Sequence, residues 1–207
     1  MSLLGRPHRK RDRAGKQHAL IQAALSLFAT RGYDATTTRE IAASAGCAEG
    51  LIHRYFKGKA GLLPAIVDYQ TAEELAALSH RPSSKAGLEE EFLQLVDWEV
   101  EYTWKHRDFL RVFIPRAVVD PSVAGIMSRV SLSARTQAVM RRLKRHPQCA
   151  SWLLKDLQVL AQSVGMLGLI FGFMRPVVLG QDRTGARKMA AALASLLVRG
   201  LHQARFD

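Results

Sequence analysis

The sequence predicts an all-α protein: an N-terminal three-helix helix-turn-helix head followed by a C-terminal helical bundle. Apolar residues recur at three- and four-residue steps through most of the 207 residues, whereas strand-like alternation is scarce. Glycines cut the first sixty residues into short helices, and longer ones follow. Charge is also unevenly placed. Residues 1–60 carry a net +7 and the other 147 residues +5, within an overall +12. A front-loaded positive charge is what a chain shows when one end meets a polyanion, although a solvated basic tail has the same composition.

Composition narrows the classes further. With 48% apolar and 23% charged residues the chain has the make-up of a globular protein, which excludes wholesale disorder and fibrous rods. The two cysteines, Cys47 and Cys149, are far apart and lack a CxxC partner, so neither a disulfide framework nor a cysteine metal site is expected and a reducing cytoplasm fits best. The opening MSLLGRPHRKRDR is basic where a secretory signal needs an apolar stretch. The longest run without polar side chains, Val164 to Met174, has 11 residues, short of the roughly 18–20 needed to cross a bilayer, so no membrane span is expected.

Taken in order, a basic arm occupies residues 1–15. Helix 1 is expected from Lys16 to Arg31, with Leu20, Ala24, Leu27 and Phe28 on its buried stripe and Gly32 ending it in a left-handed conformation. Thr37-Thr38-Arg39-Glu40 has capping-box spacing and starts helix 2. Gly46 stops that helix, and a third follows over about Ala48–Tyr55. A fourth spans Lys59–Leu78, and His80 to Ser84 forms a linker. Five more are expected near Ala86–Lys105, Arg107–Val118, Pro121–Arg145, Ser151–Phe173 and Thr184–Ala204, punctuated by Pro82, Pro115, Pro121, Pro147 and Pro176. The division is thus 1–15 arm, 16–62 head with its motif at 37–56, and 63–207 body.

Residues 37–56 have the steric logic of a helix-turn-helix. Ala42 is small where two helices cross, Gly46 sits in the turn, and Ile41, Ala45, Cys47 and Ile52 supply the locking apolar contacts. Around this motif lie Gly32 to Ala42, then Ala45-Gly46, Gly50, Tyr55-Phe56, Lys59 and Leu62-Leu63. This pattern closely resembles the TetR family of transcriptional regulators over about residues 18–66. The resemblance implies a DNA-binding head whose third helix enters the major groove, and a body that dimerises and binds a small effector. It implies phosphate contacts from Thr37, Tyr55 and Lys59, which position rather than specify. Base reading falls to Glu49, Gly50, His53 and Arg54, and Thr38 and Arg39 complete the DNA-binding set. The sequence departs from the family at Ala48, where a serine cap is frequent, and at Glu49, Leu51 and His53. Arg6, Arg9, Lys10, Arg11 and Arg13 of the arm are candidates to supply the affinity that Glu49 removes.

In the body, Leu88, Phe92, Leu95, Glu99, Tyr102 and His106 fall on one helical stripe, so a carboxylate, a phenol and an imidazole interrupt an apolar face. Trp98, Glu99, Tyr102, His106, Phe109, Phe113, Met127 and Met166 are the candidate effector-binding residues, suited to a mainly apolar ligand with a few polar anchors. Gly165, Gly168 and Gly172 interrupt the penultimate helix, and this helix with the last one is expected to form a homodimer face. No HExxH, GxSxG, GxGxxG or Walker motif occurs, and the seven histidines lack metal-ligand spacing, so neither an enzyme, a metal nor a cofactor is expected. The expected protein is a cytoplasmic regulator that binds double-stranded operator DNA and a small effector; repression follows from the resemblance alone. A non-specific architectural DNA binder is the alternative.

Overall fold

The computed structural model describes the backbone of residues 7–149 and 152–203 and the side chains of 12–149 and 152–200. Among these residues every regular element is helical. The helices are α1 (Pro7–Arg31), α2 (Thr38–Ser44), α3 (Gly50–Phe56), α4 (Leu62–Ser79), α5 (Leu88–Lys105), α6 (Arg107–Val119), α7 (Pro121–Ile126), α8 (Ser133–Leu143), α9 (Leu154–Leu167) and α10 (Arg183–Gln203). A wider π-helical turn, Met127–Leu132, joins α7 to α8, and a second, Gly168–Val178, prolongs α9.

Two compact units emerge: Met1–Gln70 with Asp108–Met127, and Thr71–Arg107 with Ser128–Asp207. The division therefore differs from the expected boundary at residue 63. α4 contributes to both units, and α6 and α7 group with the N-terminal residues, a long-range association that leaves no local mark on the sequence.

In the first unit, Leu20, Ala24 and Phe28 of α1, Ile41 and Ala42 of α2, Ile52 and Phe56 of α3, and Leu62, Leu63, Ile66 and Val67 of α4 are buried. The helical stripe read from the sequence for α1 is thus inside. The helix itself begins at Pro7, nine residues before the expected Lys16, so residues 7–15 are helical rather than an extended arm. Proline suits a first helical position, and the arginines and lysine that follow are good helix formers without an apolar stripe to betray them. Arg6 lies outside the described residues, and of Arg9, Lys10 and Arg11 only the backbone is described.

In the second unit α5, α9 with its π-helical extension, and α10 pack together, with α8 against α9. α10 contributes Ala186, Ala190, Ala194 and Val198 at strict four-residue steps, small side chains that bring its axis close to α5. The helix expected over Pro121–Arg145 is interrupted by the first π-helical turn, and the one expected to end at Phe173 runs on through Pro176 to Val178. Pro115 and Pro176 accordingly lie inside helices instead of ending them.

The stretch Leu154–Val178 is 25 residues long and, by length and composition, apolar enough to cross a membrane. The expectation that no segment reaches that length is corrected: isolated polar residues broke the count without breaking the helix. Half of its most apolar window is buried inside the second unit. Gly168 and Gly172 lie on that buried side. A Cβ on Gly168 would fall 2.2 Å from Glu99 Cγ, and one on Gly172 would fall 2.5 Å from the Val100 carbonyl oxygen. These glycines therefore serve the intramolecular approach of α5, not a dimer face.

Candidate nucleic-acid interface

The entry to α2 is fixed locally. Thr37 adopts an extended backbone (φ −99°, ψ 156°), its hydroxyl oxygen accepts the Glu40 N–H at 3.2 Å, and the Glu40 carboxylate accepts the Thr37 N–H at 2.9 Å. Both halves of the expected capping box are present. The Thr37 hydrogen bonds hold the Glu40 carboxyl below its ordinary range, helped by Arg31 at 2.9 Å. Thr37→Ala is expected to destabilise the protein by about 0.5–2 kcal/mol in urea unfolding, since the Glu40 N–H loses its side-chain acceptor.

The turn follows from Gly46, whose φ of 61° is left-handed as expected, and from the Cys47 N–H that donates back to the Ala42 carbonyl at 2.9 Å. Across the turn the Thr38 hydroxyl donates to Glu49 at 2.5 Å, tying the start of α2 to the start of α3. Glu49 stands at the N-cap of α3 without a side-chain cap hydrogen bond, so the missing serine at Ala48 is not replaced. α3 begins at Gly50, two residues later than expected, and ends at Lys57, whose left-handed φ of 60° precedes Gly58 at 108°.

α3 is two-sided. Ile52 and Phe56 are buried, which makes Phe56 core as its apolar ring requires, whereas Glu49, Gly50, His53 and Arg54 are exposed. Spacings of one, four and five residues place those four on one helical face. Tyr55 is half-buried, with the Arg13 guanidinium 5.3 Å and the Arg54 guanidinium 6.0 Å from its ring centroid. Helical extension of α1 thus delivers one arm residue, Arg13, to the flank of α3. Thr37 and Arg39 are exposed on α2 and Thr38 is half-buried.

Lys59 is half-buried. Its ammonium donates to the carbonyls of Tyr33 (2.9 Å), Thr36 (2.9 Å) and Asp34 (3.4 Å), matching its three N–H donors to three acceptors in the α1–α2 loop. Lys59, for which the resemblance implies a phosphate contact, thus locks the α1–α2 loop in this structure over 23 to 26 residues of sequence. Tyr33 completes the lock. Lys59 lies 4.4 Å and Arg116 of α6 4.6 Å from its ring centroid, and Arg116 also pairs with Asp34 and Asp120 at 3.5 Å. Sequence reasoning missed Tyr33 and Arg116, and no local pattern joins them.

The candidate effector residues divide between the two units. Trp98, Tyr102 and His106 form a continuous aromatic stack on α5 in the second unit, at 5.1 and 4.2 Å between centroids. Burial lowers the His106 imidazole, favouring its neutral form. Phe109 and Phe113 stack at 4.6 Å but belong, with Met127, to the first unit. Met166 is 62% exposed. Glu99 is fully buried and meets the Arg135 guanidinium at 2.8 Å, and the same guanidinium nitrogen reaches Glu74 at 3.2 Å. Neither Glu74 nor Arg135 was among the candidates. A polar trio, Gln70, Thr71 and Glu74, all buried on α4, is the signal that could have found them.

Burial, and then the neighbouring Glu99 charge, push the Glu74 carboxyl up to about 7 against the opposing pull of Arg135. Burial likewise raises Glu99. The folded value of Glu74 exceeds the ordinary 4.5, so its protonation stabilises the fold fully below about 4.5, and that contribution is lost as pH rises through about 7. Thermal stability is expected to fall from pH 5 to pH 8, and less steeply in Glu74→Gln.

The fold and the two-sided α3 define a helix-turn-helix protein with a separate helical bundle. Residues 20–66 match the family described as bacterial regulatory proteins, tetR family. The chain is 32% identical over 112 residues to the Bacillus subtilis protein YttP, named for an HTH-type transcriptional regulator, covering 53% of this chain and 54% of YttP. It is 31% identical over 101 residues to the HTH-type transcriptional regulator BetI of Cronobacter sakazakii, covering 48% of this chain and 50% of BetI. The chain thus spans about half the length of these curated relatives. A solved tetR-family regulatory protein from Rhodococcus RHA1 superposes with a TM-score of 0.64 at 25% identity, over 89% of this chain and 95% of that one. These relatives are regulators rather than enzymes.

Proposed function

We propose that the protein is a cytoplasmic, homodimeric transcriptional regulator that represses by binding a pseudo-palindromic operator and is released by a small effector. The observation that carries this reading is the exposed face of α3, Glu49, Gly50, His53 and Arg54, set opposite a buried Ile52 and Phe56 and flanked by Arg13. Arg54 and His53 are the base readers, with Gly50 allowing close backbone approach. Glu49, held by Thr38, accepts from cytosine. Arg13, Arg39, Tyr55 and Thr37 take phosphates, so the positive charge at the front of the chain serves positioning.

The dimer reading rests on the outer sides of the last helices. Met166, Leu169 and Ile170 and, on adjacent α10, Leu193, Leu196 and Leu197 are exposed, an unusual density of apolar side chains for a monomer surface. A two-fold axis beside them would give a dimer with two copies of α3, one for each half of a pseudo-palindromic operator. Trp98, Glu99, Tyr102 and His106 are the residues carried forward for the effector. Repression is supported by kinship with the HTH-type transcriptional repressor KstR2 of Mycolicibacterium smegmatis, 39% identical over 54 residues. No disulfide holds Cys47 or Cys149, which fits a reducing compartment.

Selection of sites from a random duplex library at physiological salt tests the reading, with Arg54→Ala beside the unmodified protein. A two-fold symmetric site that loses one base preference per half in the variant is the expected result. Binding that enriches no sequence and only fades with salt overturns it in favour of an architectural DNA binder.

A further inference from the structure

The second unit contains a charge imbalance that its own residues do not settle. One guanidinium nitrogen of Arg135 serves both Glu99 Oε1 at 2.8 Å and Glu74 Oε1 at 3.2 Å. Two carboxylates therefore share one cation at a place where Glu74 is 4% and Glu99 0% exposed. Two buried atoms, Glu99 Oε2 and, three residues before Glu74 on α4, Thr71 Oγ1, have no hydrogen-bond partner, and only the Thr103 hydroxyl adds to Arg135 in favouring the Glu99 charge. Orphaned buried acceptors are rare because desolvation is not repaid, and each calls for an explanation. The surrounding helix is shaped around the group. Gly168 leaves the space into which the Glu99 side chain passes, and Gly165 leaves the space beside Arg135, where a Cβ would lie 3.1 Å from Nε.

We propose that Glu74, Glu99 and Thr71, braced by Arg135, form a subsite for one organic monocation of the ammonium class. This assignment rests on the effector reading given above and deepens it. A primary ammonium brings one positive charge, which neutralises the excess carboxylate, and three N–H donors, two of which match Glu99 Oε2 and Thr71 Oγ1. An anion is repelled by the same excess charge, and a neutral alcohol leaves it in place. A divalent metal is disfavoured because such ions need six or more oxygens or several soft donors, and a fixed guanidinium adjoins the site. Among the described residues no group of three or more His, Cys, Asp or Glu is placed to hold a metal. Without a guest, the compensating charge is a proton shared by the carboxylate pair, so the cation and the proton compete.

The test uses the full chain with n-butylammonium chloride, n-butanol and sodium butyrate at matched ionic strength, read as the ligand-dependent rise in Tm. Only the ammonium should raise it. Its apparent affinity should increase about tenfold per pH unit from pH 5 to pH 7 and level off above, the slope expected for displacement of one proton. Glu74→Gln and Glu99→Gln should each weaken it about tenfold or more, and both variants keep one carboxylate paired with Arg135 and so retain the fold. Equal shifts with n-butanol, a response retained in both variants, a pH-independent affinity, or no shift with n-butylammonium would each overturn the subsite. The wider reading fails separately. If ammonium binds as described but leaves affinity for a selected duplex unchanged, the subsite stands and the effector role falls.

Discussion

Arg135→Leu should destabilise the protein by about 3–5 kcal/mol at pH 7.5, because it strands two buried carboxylates whose shared counter-charge is gone. That loss is a large part of the roughly 5–15 kcal/mol that holds an ordinary domain together. The effect has a pH signature. Glu74 and Glu99 are both raised by burial, and removal of Arg135 removes the group that lowers them, so each takes up a proton more readily in the variant. The defect should therefore shrink toward pH 5 and widen toward pH 8. Urea unfolding at these pH values measures it, with Glu74→Gln as the control that leaves a one-to-one pair. A loss below about 1 kcal/mol at pH 7.5, or one independent of pH, would mean that the triad is not buried as described.

Gly61→Ala is the second large effect, and it falls on the head. A Cβ there would lie 1.7 Å from the Phe56 carbonyl oxygen and 2.8 Å from the Phe56 carbonyl carbon. Backbone rather than a flexible side chain is in the way, so the segment that joins α3 to α4 must shift. Overpacking of this kind costs about 1–3 kcal/mol or more. Phe56 ends α3 and anchors it in the core, so the displacement also reaches the exposed face that carries His53 and Arg54. Duplex binding should drop more than the stability loss alone accounts for. Gly50→Ala is the counterpart, since nothing stands within 4 Å of its new Cβ, and it should fold normally. Equal stability for Gly61→Ala and Gly50→Ala would contradict the close approach.

What was legible in the sequence was local. The Thr37–Glu40 capping box, the left-handed Gly32 and Gly46, and the span of α5 each depend on residues within about one turn of each other, and each is found. The exposed face of α3 was likewise recoverable from spacing and the family resemblance. Long-range pairing was not recoverable. Lys59 finds its carbonyl partners 23 to 26 residues back, and Arg135 finds Glu99 and Glu74 across 36 and 61 residues. Glu99 consequently looked like one polar interruption among several. The glycines of the penultimate helix announced a close approach without naming the partner, which is α5 of the same chain. α1 was read short because residues 7–15 have helix propensity but no apolar periodicity to reveal it.

The central claim is that two copies of the chain present α3 to successive major grooves of one duplex. Dimethyl-sulfate protection of guanine N7 on a selected duplex, together with the mass of the complex by analytical ultracentrifugation, tests it most directly. Two chains per duplex, with two symmetric major-groove contacts about 10–10.5 base pairs apart or a multiple of that, is the predicted result. A footprint without two-fold symmetry, or a single chain per site, would contradict it.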